Sequence, residues 1–79
     1  MSKKSKAIRE SWTRHADQAA QEAGEASARA KTYRQRLASG SDDPEADRYL
    51  ARQAEADHSV AAANERDFRA AAGGRWTRA

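Results

Sequence analysis

Residues 40–44 read Gly-Ser-Asp-Asp-Pro, the one clear break in a 79-residue chain otherwise built of alanine and charged side chains. Glycine takes the left-handed conformation that closes many helices, and proline is tolerated at a first helical position, where no amide hydrogen is needed. Gly40 therefore predicts the end of one helix, and Pro44 the first residue of the next, with Asp43 as its N-cap. The flanking charges agree with the helix dipole. Lys31, Arg34 and Arg36 precede the break, and Asp42, Asp43, Glu45 and Asp47 surround the start of the second helix. A second stop follows Arg66 and Arg69, where Gly73 and Gly74 stand together.

This punctuation divides the chain into a basic N-terminal tail at 1–6, a helix at 7–39, a turn at 40–43, a helix at 44–72 and a flexible C-terminal tail at 73–79 that carries Trp76. A turn this short joins antiparallel neighbours. The expected fold is all-α, an antiparallel two-helix hairpin of alanine-rich, coiled-coil-like character.

The first helix supports that expectation with two apolar rows in heptad rhythm. Trp12, Ala19, Ala26 and Tyr33 form one, and Ala16, Ala23, Ala30 and Leu37 the other. Alanine in the middle of both rows lets a partner backbone approach closely. Pairing the helices across the turn sets Leu37 near Ala46, Tyr33 near Tyr49 and Leu50, Ala23 near Val60 and Ala61, Phe68 beside His15 and Ala16, and Trp12 near Ala71 and Ala72. The predicted shape is a dumbbell, with aromatic clusters at both ends of an alanine waist.

The second helix carries two apolar arcs where a hairpin needs one. Leu50, Ala54, Ala61, Phe68 and Ala72 fall on the first, and Tyr49, Ala56, Val60, Ala63 and Ala70 on the second. Two seams predict two partners, the second most simply another copy of the chain, which would make a four-helix bundle. Composition points the same way: 20 residues are alanine, against one Ile, one Val, two Leu, one Met and one Phe. So light an apolar content leaves a single core thin, and no cysteine is present to staple it.

Catalytic and metal-binding patterns are sparse. Glu55 and His58 form a Glu-x-x-His pair of the kind found in carboxylate-bridged metal bundles. Helical geometry, however, assigns them to a solvated face with Asp47, Arg48, Glu65, Arg66 and Arg69. His15, at the edge of the apolar stripe, reads as a packed or capping imidazole. No enzyme activity, cofactor, metal or small-molecule substrate is expected.

Charge raises a nucleic-acid alternative, since the net charge is +3 and the pI about 9.7. Lys3, Lys4, Lys6 and Arg9 are the candidate phosphate contacts near the N-terminus. Farther along, Arg29 and Arg36 project to one flank of the stripe and Lys31 and Arg34 to the other, which argues against one continuous basic surface. The leading expectation is therefore a small helical interaction or adaptor protein that self-associates or packs against a helical partner. The alternative is a nucleic-acid-associated accessory protein using the basic N-terminal half. No apolar run approaches a membrane span, which predicts a cytoplasmic protein without membrane partners. The candidate partner interface comprises Tyr49, Ala56, Val60, Ala63 and Ala70, joined by Trp12 and Trp76. These two tryptophans share the tripeptide Trp-Thr-Arg at 12–14 and 76–78, and the hairpin brings both segments to its open end, where Trp76 folds back over Trp12, Ile8 and Phe68 or anchors a partner.

Overall fold

The structure is a computed structural model and describes residues 3–73. Its two helices are α1 (Lys3–Ser39) and α2 (Pro44–Ala72), packed antiparallel along their lengths as a helical hairpin. The molecule is a rod of 58 × 24 × 13 Å, and its long dimension is that of α1 alone, about 55 Å at 1.5 Å rise per residue.

The turn works through identifiable atoms. Gly40 has φ +96°, the one positive φ among the described residues. The Asp43 carboxylate accepts the Ala46 amide at 3.1 Å, and Pro44 follows the cap directly. The Ser41 hydroxyl accepts the Asp43 amide at 3.2 Å and donates to the Asp47 carboxylate. Asp47 is buried at 9% exposure, so this hydroxyl bond replaces water at a carboxylate that the fold encloses.

At its N-terminus α1 begins at Lys3, ahead of the expected start at 7. No glycine or proline interrupts residues 3–7, and lysine and alanine both favour helix, so residues 3–6 of the segment read as a basic tail belong to the helix. At the other end, Gly73 caps α2 with its amide donating to the Arg69 carbonyl at 3.0 Å.

Every buried apolar residue among those described is alanine: Ala16, Ala19, Ala23, Ala26 and Ala30 on α1, and Ala51, Ala54 and Ala61 on α2. On α1 these are the middle members of the two heptad rows, as expected. On α2 the seam keeps Ala54, Ala61, Phe68 and Ala72 of the first expected arc, loses Leu50, and gains polar members. It runs Asp47, Ala51, Ala54, His58, Ala61, Glu65, Phe68 and Ala72, the same alternation of four and three as on α1. Ala51, which neither arc contained, is buried, while Leu50, expected at the seam, is 38% exposed.

The placement of Asp47 and Glu65 on a solvated face is thereby corrected, while His58 is exposed as expected and still bonds the facing helix. Asp47 bonds Ser41, and the His58 Nδ1–H donates to the Ala23 carbonyl across the seam at 3.0 Å. Glu65, half-buried, accepts Arg69 Nε at 2.9 Å. Alanine at the waist leaves room for His58 to reach the facing backbone, which a leucine seam would deny, whereas Asp47 bonds within the turn and Glu65 within α2.

Ion pairs flank the seam on both sides. Arg29 meets Asp57 at 3.7 Å, Arg34 meets Glu55, and Arg69 meets Asp17 at 3.4 Å. Each is exposed, and such pairs contribute about 0–1 kcal/mol apiece. Their value is in orientation, because a parallel arrangement or a shifted register separates all three.

The dumbbell is realised at one end. Trp12 stacks on Phe68 at 5.6 Å between ring centroids, and His15 lies 5.3 Å from the same ring. At the turn end, Tyr33 is half-buried beneath the Arg36 guanidinium, 5.5 Å from its centroid, while Tyr49 is 63% exposed and points away from the seam. The seam passes through Ala51 on this side, so Tyr49, two residues earlier, is rotated to the back of α2.

Three consequences are measurable by circular-dichroism melts. Ala23→Leu and Ala26→Leu insert volume between closely packed backbones and are expected to cost about 1–3 kcal/mol, whereas Ala28→Leu, on the exposed face, should change stability little. Gly24→Ala should stabilise by roughly 0.5–1 kcal/mol, since Gly24 lies mid-helix and an added Cβ meets nothing within 4 Å. Gly40→Ala should destabilise, because its φ of +96° strains any L side chain.

Candidate functional site

The outer face of α2 carries the two most exposed large apolar side chains among the described residues. Tyr49 is 63% and Val60 62% exposed, and Ala56 is exposed between them. Ala63 and Ala70 continue the arc and are half-buried. At 100° per residue this arc lies nearly opposite the seam through Ala51, Ala54 and Ala61. Gln53, Asn64 and Asp67 stand on the same face and are exposed. The structure thus brings five of the expected interface residues onto one continuous face of a single rigid helix.

Trp12 belongs elsewhere. Its ring is half-buried in the stack with Phe68 and His15 at the open end, so it closes the hairpin core and lies apart from the arc. Trp76 falls outside the described residues. Ile8, one helical turn before Trp12, is 51% exposed. It continues the α1 stripe past the level at which α2 ends, a consequence of helix lengths of 37 and 29 residues.

The basic candidates occupy this overhang. Lys6 and Arg9 are exposed and line a shallow open depression with Glu10, Thr13 and Arg14. Lys3 and Lys4 lie in the first turn of α1, and their side chains fall outside those described. Arg29 and Arg34, which a basic surface would need, are turned to Asp57 and Glu55 instead. Arg36 covers Tyr33.

The chemistry-bearing side chains near the seam are committed to structure. His58 spends its Nδ1–H on a carbonyl of α1, Asp47 is enclosed with Ser41, and Glu65 holds Arg69. Arg69 is raised above its ordinary pKa, first by the hydrogen bond to Glu65 and further by Asp17. Among the described residues no group of three or more His, Cys, Asp or Glu is placed to hold a metal ion. No helix among them is long and apolar enough to cross a membrane.

Sequence reasoning missed the polar half of the α2 seam because it counted apolar residues. The signal was present in spacing: stepping back from Phe68 by threes and fours passes through Glu65, Ala61, His58, Ala54, Ala51 and Asp47. The shape of the surface is informative too. The chain exposes 6122 Å², against about 4,700 Å² expected for a compact monomer of its mass from size scaling.

Compared with protein-family models, with curated proteins and with solved structures, the chain gives no match.

Proposed function

We propose that the hairpin is a small non-enzymatic interaction module that binds a helix, its own or a partner's, along the outer face of α2. One observation carries this reading: the interior is filled by alanine, while Tyr49 and Val60 stand 63% and 62% exposed on one arc. Valine and tyrosine are ordinarily drawn into a core or an interface, and isolated exposure of one would need no explanation. Here they share a face with Ala56 and Ala63 at helical spacing, the pattern by which an amphipathic helix is recognised. The engagement of Asp47, His58 and Glu65 in holding the hairpin supports a binding rather than a catalytic role.

A second reading draws on the overhang, where Lys6 and Arg9 extend past the end of α2. In it the chain is a nucleic-acid accessory protein, with phosphate contacts from the first turns of α1. The two readings differ in salt response, because contacts to phosphate weaken steeply with ionic strength and an apolar face does not.

The test uses immobilised chain and sedimentation, each with and without nuclease treatment and across a salt series. Val60→Glu is expected to abolish assembly and partner capture while leaving helicity intact, with Lys6→Glu close to wild type. Assembly and capture unaffected by Val60→Glu, lost with Lys6→Glu and lost with rising salt would reverse the assignment in favour of the overhang.

A further inference from the structure

Resting on the reading of the α2 outer face as an interface, we infer that its occupant is the same face of a second copy, antiparallel, with a two-fold axis passing at Val60. At helical spacing Ala71 joins Tyr49, Gln53, Val60 and Asp67 in one row, and this row, unlike Ala63 and Ala70 at the other edge of the arc, is symmetric about Val60 in a way that makes it complementary to itself. Gln53 and Asp67 stand seven residues to either side of Val60. Under the two-fold, each Gln53 amide therefore lies level with the partner copy's carboxylate and can donate to it, twice per dimer. Tyr49 and Ala71 stand eleven residues to either side, so the largest side chain of the arc meets one of the smallest. Ala56 faces Asn64 in the same way, four residues out, and the two Val60 side chains meet at the axis.

A parallel pairing loses this match. It stacks Tyr49 on Tyr49 and sets Asp67 against Asp67, which places two carboxylates together within the contact. In the antiparallel pair the same carboxylate has a neutral donor, and a polar pair inside an apolar seam fixes register. Asp67 has only a loose contact in the single hairpin, 3.7 Å from Arg66, and its side chain is 53% exposed.

The contact from Tyr49 to Ala71 runs along about 33 Å of helix axis. The product is a four-helix bundle with the two α2 helices inside and the two α1 helices outside, leaving both N-terminal overhangs accessible at opposite ends.

Because the chain has no cysteine, single cysteines report the geometry without background. Disulfides require Cα separations of roughly 4.4–6.8 Å. Under mild oxidation, Val60→Cys should cross-link to itself nearly completely. Tyr49→Cys alone should not, since its two copies stand about 33 Å apart along the axis, but mixing Tyr49→Cys with Ala71→Cys should yield the heterodimer. Ala28→Cys, on the far side of α1, measures collisional background. Unmodified chain should sediment as a dimer at tens of micromolar, and Val60→Glu as a helical monomer.

A wild-type monomer at hundreds of micromolar overturns the pairing, as does self-cross-linking of Tyr49→Cys or a Val60→Cys yield no higher than that of Ala28→Cys. The broader reading fails separately. If the chain is monomeric and Val60→Glu still abolishes capture of a foreign protein, the face binds a different helix and only the self-pairing is wrong. If Val60→Glu changes neither mass nor capture, both are wrong.

Discussion

Close approach of two backbones along an alanine seam is the constraint on which the rest of this hairpin depends. Alanine loses no side-chain entropy on burial and is the best helix former, so long helices built from it are inexpensive to order. It also buries little apolar area per residue. The hairpin compensates by bringing the helices together along the full length of α2, so that many small contacts accumulate where a larger domain relies on a few leucines. The long, thin rod follows from that choice, because a seam one alanine deep can grow only in length.

The same close approach explains the polar side chains on the α2 seam. With alanine opposite, a histidine at 58 reaches the Ala23 carbonyl directly, and an aspartate at 47 turns back to Ser41. The Asp47 bond fixes the turn and through it the register, whereas the His58 bond reads only the heptad phase, since a slide by one heptad would offer it the equivalent carbonyl of Ala16 or Ala30. The flanking Arg29–Asp57, Arg34–Glu55 and Arg69–Asp17 pairs add the same information in charge. A low-information alanine seam thus acquires a unique alignment from its polar members.

A hairpin of this kind has no interior in which to place large side chains except at its ends. Trp12, His15 and Phe68 take the open end, where α2 stops and the helices no longer shield one another. Tyr49 and Val60 have no such place and stand on the back of α2. The face they occupy, with Gln53 and Asp67 evenly spaced about Val60, is the part of the molecule that a hairpin does not need for its own folding. It is accordingly the part in which a binding function is most naturally sought.

Much of this was legible in the chain itself. Gly40, Asp43 and Pro44 act through local backbone geometry, so the turn and the antiparallel hairpin could be read from them without knowledge of any distant contact. The alanine rows of α1 repeat without interruption and announced which face is buried. Ala51, Asp47, His58 and Glu65 were another matter. Whether a polar residue faces a seam or solvent depends on what stands opposite it, here an alanine methyl or a backbone carbonyl within reach across the pair, and that is a property of two helices together. The acid partners of Arg29 and Arg34 were hidden for the same reason: a charge has no preferred partner along the sequence until packing decides which oppositely charged group is near.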